Sequence, residues 1–129
     1  MTIATPVDND RFARYIGLRL VEVVIGYARA EMIVDDNHLN GLGLAHGGAV
    51  FSLADLAFAA ASNSHGVDAV AINVNMAYFK ASRPGDHLTA EAEELSLSRK
   101  LGTYQITVTN QSGERVAVMQ GTTYRKTTS

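Results

Sequence analysis

The hydrophobic rhythm of the chain changes twice. From residue 18 to residue 34 it is rich in Val, Ile, Leu and Tyr and is broken at Gly26, a pattern that predicts two strands joined by a tight turn. Asp35-Asp36-Asn37-His38 then ends the hairpin. The segment 40–48 is glycine-rich, and the alanine-rich stretch after it carries neither proline nor glycine until Gly66, which predicts one long helix over 47–64. Beyond Gly66 β-branched and alternating residues return and predict four strands, at 67–79, 88–97, 104–109 and 116–124. Their separators, Ser82-Arg83-Pro84-Gly85-Asp86, Arg99-Lys100-Leu101-Gly102 and Asn110-Gln111-Ser112-Gly113-Glu114, have the composition of hairpin loops. Ahead of the first strand, Pro6 followed by Asp8, Asn9 and Asp10 marks a helix start, with Phe12, Tyr15 and Ile16 at helical spacing up to Gly17. The order α-β-β-α-β-β-β-β is that of an α+β domain in which one apolar helix lies along the concave face of an antiparallel sheet.

Composition narrows the class. With 129 residues, 47% hydrophobic and 19% charged, the chain fits one globular domain, 1–129, with a core of its own. A net charge of −2 gives no reason to expect nucleic acid or an anionic membrane surface as partner, so an anionic ligand has to be met by a local basic cluster. The absence of cysteine removes disulfides, thiolate nucleophiles and Cys-ligated zinc. The first ten residues have neither the basic start nor the apolar run of a secretory signal, and the apolar stretch 49–61 is shorter than the ~20 residues of a bilayer span, so the expectation is a cytoplasmic protein.

Inside that apolar stretch every residue except Ser52 and Asp55 is apolar, and no Lys or Arg lies within one turn of Asp55. A carboxylate there is costly unless it is bonded, solvated or used. It reads either as a group bonded to backbone or facing solvent beside Ser52, or as a functional carboxylate. The helix start, His46-Gly47-Gly48, is the second unusual feature, because it places exposed N–H groups at the positive end of a helix dipole, where a carbonyl oxygen or an anion is stabilised. The glycines read equally as devices for a sharp loop-to-helix turn. Eight residues of helix put Asp55 about 12 Å from Gly47 along the axis. One chain therefore cannot bring both to one carbonyl, and joint action requires a dimer with two composite sites.

The run Asn40-Gly41-Leu42-Gly43-Leu44-Ala45-His46-Gly47-Gly48-Ala49-Val50-Phe51-Ser52-Leu53-Ala54-Asp55 resembles the phenylacetate-degradation (PaaI-type) branch of the hotdog-fold acyl-CoA thioesterases. The likeness continues through Ala57-Phe58-Ala59, Ala61-Ser62-Asn63-Ser64-His65-Gly66, the strand 71–79 and Pro84-Gly85-Asp86-His87-Leu88-Thr89-Ala90, and covers a core of about 17–126. The resemblance implies a hotdog fold, an antiparallel sheet wrapped around one long central helix, preceded here by a short N-terminal helix. It implies hydrolysis of aryl- or phenylacetyl-CoA thioesters by a homodimer, commonly paired into a homotetramer. By position Asp55 matches the carboxylate that acts as general base or nucleophile, Gly47 the backbone N–H that binds the thioester oxygen from the partner subunit, and Asn40 the polar side chain that positions thioester or water. His46 and Gly48 complete the helix start on the substrate side, with His46 fixing the loop. Two positions depart from the family pattern: Ala71 stands where some relatives carry Ser or Thr, and Phe79-Lys80-Ala81-Ser82 replaces Phe-Leu-Arg-Pro.

A thiolate leaves readily, so one carboxylate and one oxyanion donor suffice for thioester hydrolysis, and no cofactor or metal is expected beyond the coenzyme A of the substrate. His38, His46, His65 and His87 have no metal-ligand spacing. For the phosphates of coenzyme A the candidate cations are Ser98-Arg99-Lys100 and, second to it, Lys80 with Arg83. Phe51, Leu56 and Phe58 face either the acyl pocket or the sheet. Two other readings belong beside this one: a non-catalytic acyl-CoA-binding module with the same pocket, and a hotdog hydratase or dehydratase, against which the proline-free stretch 37–48 argues.

Overall fold

The computed structural model describes residues 2–127. Strands β1 (Arg19–Val24), β2 (Tyr27–Ile33), β3 (Ala69–Tyr78), β4 (His87–Leu97), β5 (Leu101–Thr109) and β6 (Arg115–Arg125) form one antiparallel sheet of order β1-β2-β4-β5-β6-β3. Helix α1 is Arg11–Tyr15 and helix α2 is Gly47–Ser62, and α2 touches all six strands. The sheet wrapped around one long helix is the architecture that the sequence pattern and the family resemblance both predict.

Small residues on both sides let the helix lie close to the sheet. Ala28 faces Ala92 and Ala30 faces Ala90 in the strand register, and all four are fully buried beneath α2, which contributes Ala54, Ala57, Ala60 and Ala61. One large ring fills the deepest part. Phe58 is buried at 1% exposure, tilts against Tyr104 at a centroid distance of 5.8 Å, and occupies the notch that Gly121 leaves, where a Cβ would lie 2.6 Å from the Phe58 ring. Phe58 therefore belongs to the sheet side, and Leu56, also buried, lies under the N-terminal segment beside Ala13, Leu18 and Leu20.

The ends of the elements correct the expectations in three places. Pro6 opens a 3-10 turn, Pro6–Asn9, capped by Thr5, and α1 starts separately at its N-cap Asp10, whose side chain accepts from the Ala13 N–H at 2.9 Å. Of α1 only Ala13 is buried, while Phe12 and Tyr15 are 60% and 88% exposed, so their helical spacing does not mark a core face in this chain. Helix α2 stops two residues early because Asn63 clamps the exit: its Nδ2 donates to the Ala59 and Ala69 carbonyls and its Oδ1 accepts from the Ala69 N–H. Strand β5 begins at Leu101, so the turn before it is shorter than its Gly102 suggests. Gly102 sits inside the strand because a Cβ there would lie 2.9 Å from the Tyr104 ring.

Below the helix exit, Glu94 Oε1 accepts from Tyr104 Oη at 2.8 Å and lies 2.6 Å from His65 Nε2. Burial pushes the Glu94 carboxyl up, but the bonds from His65 and Tyr104 outweigh it and hold the group below its ordinary range. At the other side of the sheet β3 is an edge: its outer backbone is unpaired, and Val70, Ile72, Tyr78 and the following Phe79 are exposed.

The Gly121 notch gives a direct test of the packing. Gly121→Ala forces the Phe58 ring out of its seat and should lower the unfolding free energy by about 1–3 kcal/mol in urea titrations, whereas an unchanged midpoint would show that the notch is not filled as described.

Candidate active site

The start of α2 leaves one backbone donor to account for. A helix leaves its first N–H groups without intrahelical acceptors. Here Nδ1 of His46, the N-cap, accepts from the Gly48 N–H at 2.8 Å, and the His46 carbonyl takes the Ala49 and Val50 N–H groups at 2.9 and 3.2 Å. The Gly47 N–H finds no acceptor among the described residues. It stands at the positive end of a 16-residue helix, as a polarised donor facing no oxygen of its own chain. Space at this point is kept by absent side chains: a Cβ on Gly48 would lie 3.0 Å from His46 Nδ1, and one on Gly47 would touch the Tyr78 ring at 3.5 Å.

A cavity of about 360 Å³ opens in front of Gly47, with Asn40, Leu44, Val50, Tyr78 and Phe79 among its walls. Asn40 Oδ1 accepts from the Leu42 and Leu44 N–H groups at 2.9 and 3.2 Å, so its oxygen holds the 40–44 loop in shape. Its NH2 group has no acceptor among the described residues and remains as a second donor to the cavity. Leu44, Val50, Phe79 and Val116 supply the apolar part of the wall, and Tyr78, Lys80 and Ser82 add polar groups to it.

Asp55 lies two turns further along α2 and is absent from that cavity. It belongs to the least covered side of the helix, the stripe Gly48, Ser52, Asp55 and Ala59. Ser52 is satisfied by donating to the Gly48 carbonyl at 2.8 Å, whereas Asp55 has no hydrogen-bond or ion-pair partner among the described residues. Half-burial without a partner raises its pKa, and the negative charge of Asp10 at the start of α1 adds to the effect. Eight residues of regular helix separate it from Gly47, about 12 Å along the axis.

The cations collect elsewhere. Ser98, Arg99 and Lys100 form the exposed β4–β5 turn, and Arg125 Nη1 donates to the Ser98 and Arg99 carbonyls at 2.7 and 3.4 Å, tying that turn to the end of β6. Lys100 Nζ sits 5.9 Å above the Tyr124 ring. This basic end, with Lys126 beside it, adjoins Ala69 at the start of β3, whereas Gly47 meets Tyr78 at the other end of the same ten-residue strand. Lys80 lines the cavity but pairs with Glu114 at 3.3 Å. Among the described residues no group of three His, Asp or Glu side chains gathers as a metal site would require, and no helix is long and apolar enough to cross a membrane.

Residues 42–117 match the family model described as the thioesterase superfamily, a span that includes Gly47, Asp55, strands β3, β4 and β5 and the start of β6. The chain belongs to the thioesterase superfamily. A protein of Archaeoglobus fulgidus whose name goes no further than esterase is 47% identical over 117 residues, 91% of this chain and 76% of the relative. The acyl-coenzyme A thioesterase PaaI of Escherichia coli is 37% identical, covering 92% of this chain and 84% of its own. The crystal structure of that E. coli protein, from the phenylacetic acid degradation operon, superposes with a TM-score of 0.90 over 93% of this chain and 87% of its own. A Streptococcus mutans protein solved bound to acetyl CoA gives a TM-score of 0.82 at 31% identity, over 85% of this chain and 89% of that one. The chain is thus a hotdog thioesterase of the PaaI type, a thioester hydrolase.

In this thioesterase the helix start brings Asn40, His46, Gly47 and Gly48 together, leaves Asp55 two turns away on the same helix, and holds Ser98, Arg99 and Lys100 at the far end of the sheet. Reading the sequence missed Tyr78, Asp10 and Arg125. The dipeptide Arg125-Lys126 closing a strand was a visible charge signal for the last; nothing local singled out Tyr78, because its role comes from a contact 31 residues away in sequence.

The Asp55 environment predicts a linkage with a definite sign. A carboxyl whose folded pKa is raised contributes stability that is present below its unfolded pKa and is lost as pH rises through the folded one. Asp55→Asn should therefore melt higher than the wild type at pH 7, with the difference disappearing at pH values below the ordinary carboxylate range. Removing the Asp10 charge with Asp10→Asn, which keeps a capping side chain, should shift the Asp55 carboxyl titration, followed by carbon NMR, to lower pH. An unmoved Asp55 titration would show that Asp10 does not reach it.

Proposed function

We propose that this thioesterase hydrolyses acyl-CoA thioesters with aryl or phenylacetyl acyl groups, releasing free acid and coenzyme A, and that its working unit is a homodimer. One observation carries the reading: α2 holds an unpaired, polarised N–H at Gly47 and an unpartnered carboxylate at Asp55, too far apart to reach one carbonyl. Pairing of two copies along the open β3 edge, in the antiparallel sense that a two-fold axis imposes, would set the Gly47 end of one chain against the middle of α2 of the other. In each composite site the Gly47 N–H and the Asn40 amide hold the thioester oxygen, and Asp55 of the other chain activates water as general base or attacks the carbonyl itself. A pKa raised by burial suits the base role. The attack makes a tetrahedral oxyanion, and its collapse expels coenzyme A as thiolate; where Asp55 is the nucleophile, water then hydrolyses the acyl–Asp55 anhydride, releasing the free acid and regenerating the carboxylate.

The same antiparallel arrangement supports an assignment for the cations. Within one chain Arg99 and Lys100 lie about 30 Å from Gly47, the length of β3. Across a two-fold axis they approach the partner's Gly47 end, so that the chain giving Asp55 also gives the cations for the coenzyme A phosphates. The likeness to the E. coli acyl-coenzyme A thioesterase and to the acetyl CoA-bound protein supports coenzyme A as the carrier. Pairing of dimers into a tetramer and a setting in the cytoplasm complete the proposal, with no cofactor or metal taking part.

Two variants test the composite site together. Asp55→Asn removes the charge and keeps the shape. Gly47→Pro removes the N–H at the first helical position, where proline is accepted, and His46 at φ −63 and ψ 137 already has the backbone a following proline requires. Each alone should lose at least about 100-fold in kcat on phenylacetyl-CoA. Mixed and reassociated one to one, they should recover about a quarter of wild-type turnover, because half the dimers are hybrids with one intact site. Failure of hybrids that demonstrably form to recover activity would overturn the composite site. Saturable binding of phenylacetyl-CoA by the wild type without thiol release would favour a binding module instead.

A further inference from the structure

The peptide joining Gly47 to Gly48 is held at both of its polar ends by side chains. His46 Nδ1 accepts from its N–H at 2.8 Å, and Tyr78 Oη donates to its carbonyl, that of Gly47, at 3.0 Å. The two clamps come from opposite directions. His46 is the N-cap of α2, whereas Tyr78 is the last residue of β3, 31 positions beyond Gly47 in the chain. The Tyr78 ring also closes the space over Gly47, 3.5 Å from the point a Cβ would occupy, and forms part of the cavity wall.

A clamp has a use here because the first two residues of α2 are both glycines. They have no Cβ to restrict the backbone, and a first-turn peptide is bonded on one side only, so the plane of peptide 47–48 would otherwise rock. Rocking it turns the adjoining peptide 46–47, which carries the unpaired Gly47 N–H. A donor stabilises a developing oxyanion in proportion to how little it has to reorganise. Burial raises the pKa of the Tyr78 phenol, so the hydroxyl remains a neutral donor across the working pH range.

The geometry points to Tyr78 as a positioning residue for the thioesterase reaction, one that fixes the peptide after Gly47 so that the Gly47 N–H is pre-aimed at the thioester oxygen. This rests on the assignment of Gly47 as oxyanion donor. Tyr78 acts through Gly47, and its contribution is felt where negative charge develops on the oxygen.

Tyr78→Phe tests it, since only the hydroxyl is removed and the ring over Gly47 is kept. On phenylacetyl-CoA, kcat should fall roughly 10-fold, while KM, affinity for a non-hydrolysable thioether analogue of the substrate, oligomeric state and melting temperature stay within twofold or a degree or two of wild type. A kcat equal to wild type would overturn the proposal, and so would a parallel loss of analogue binding or of folding, which would make the hydroxyl a structural bond. Combining Tyr78→Phe with Gly47→Pro separates this idea from the reading beneath it. If Gly47 is the donor and Tyr78 acts through it, the double variant is no slower than Gly47→Pro alone. If Gly47→Pro turns over normally while Tyr78→Phe is slow, the oxyanion assignment fails and with it the positioning role as stated here.

Discussion

The close seating of α2 on the sheet governs everything else in this molecule. Alanine faces alanine across the helix–sheet boundary, and Phe58 enters the notch at Gly121, so the helix cannot slide or rotate without emptying a filled space or driving carbon into carbon. That immobility fixes where the helix begins, which residue ends as its first exposed donor, and which of its sides stays uncovered. Small residues give this rigidity by shortening the distance between layers, and the few large ones set the register.

From that fixed helix Gly47 and Asp55 inherit opposite problems. At the N-terminus nearly every donor is satisfied, by the His46 side chain or carbonyl, and the exception lies at a cavity wall. At Asp55 an acceptor group stays half-covered with nothing to bond, and a second carboxylate at Asp10 makes ionisation harder. Both are energetically unfavourable in an isolated chain. Each is the complement of the other, a donor without an acceptor and a carboxylate without a donor, and the helix keeps them about 12 Å apart. The β3 edge reaches one of them, Gly47, through Tyr78. This convergence is what makes a two-chain site the economical reading.

Local elements were largely legible from residue patterns because they depend on near neighbours. The alternation in β2, β4, β5 and β6 follows burial on one face, and the long helix follows from an alanine-rich stretch free of proline and glycine. The pattern failed where tertiary contacts replaced local rules. Phe12 and Tyr15 have helical spacing, yet α1 turns Ala13 onto the core and leaves both of them exposed. Gly102 looks like a turn residue and lies in a strand, because the Tyr104 side chain folds back over it.

By itself the sequence determined the fold class, the motif Asn40 to Asp55 and, through helical rise alone, the separation of about 12 Å between Gly47 and Asp55. These are properties of covalent spacing and side-chain type, which do not change with folding. Only the tertiary structure decided that the Gly47 N–H is the unsatisfied donor of its turn, that Asn40 keeps its oxygen for the loop and its NH2 for the cavity, that Asp55 feels Asp10, and that Tyr78 reaches the Gly47 carbonyl. The first two depend on how the loop 40–48 is shaped, and the last two on which distant residue arrives within about 3 Å or close enough to act through its charge. That is settled by the packing of whole elements, and one chain's residue order does not encode it locally.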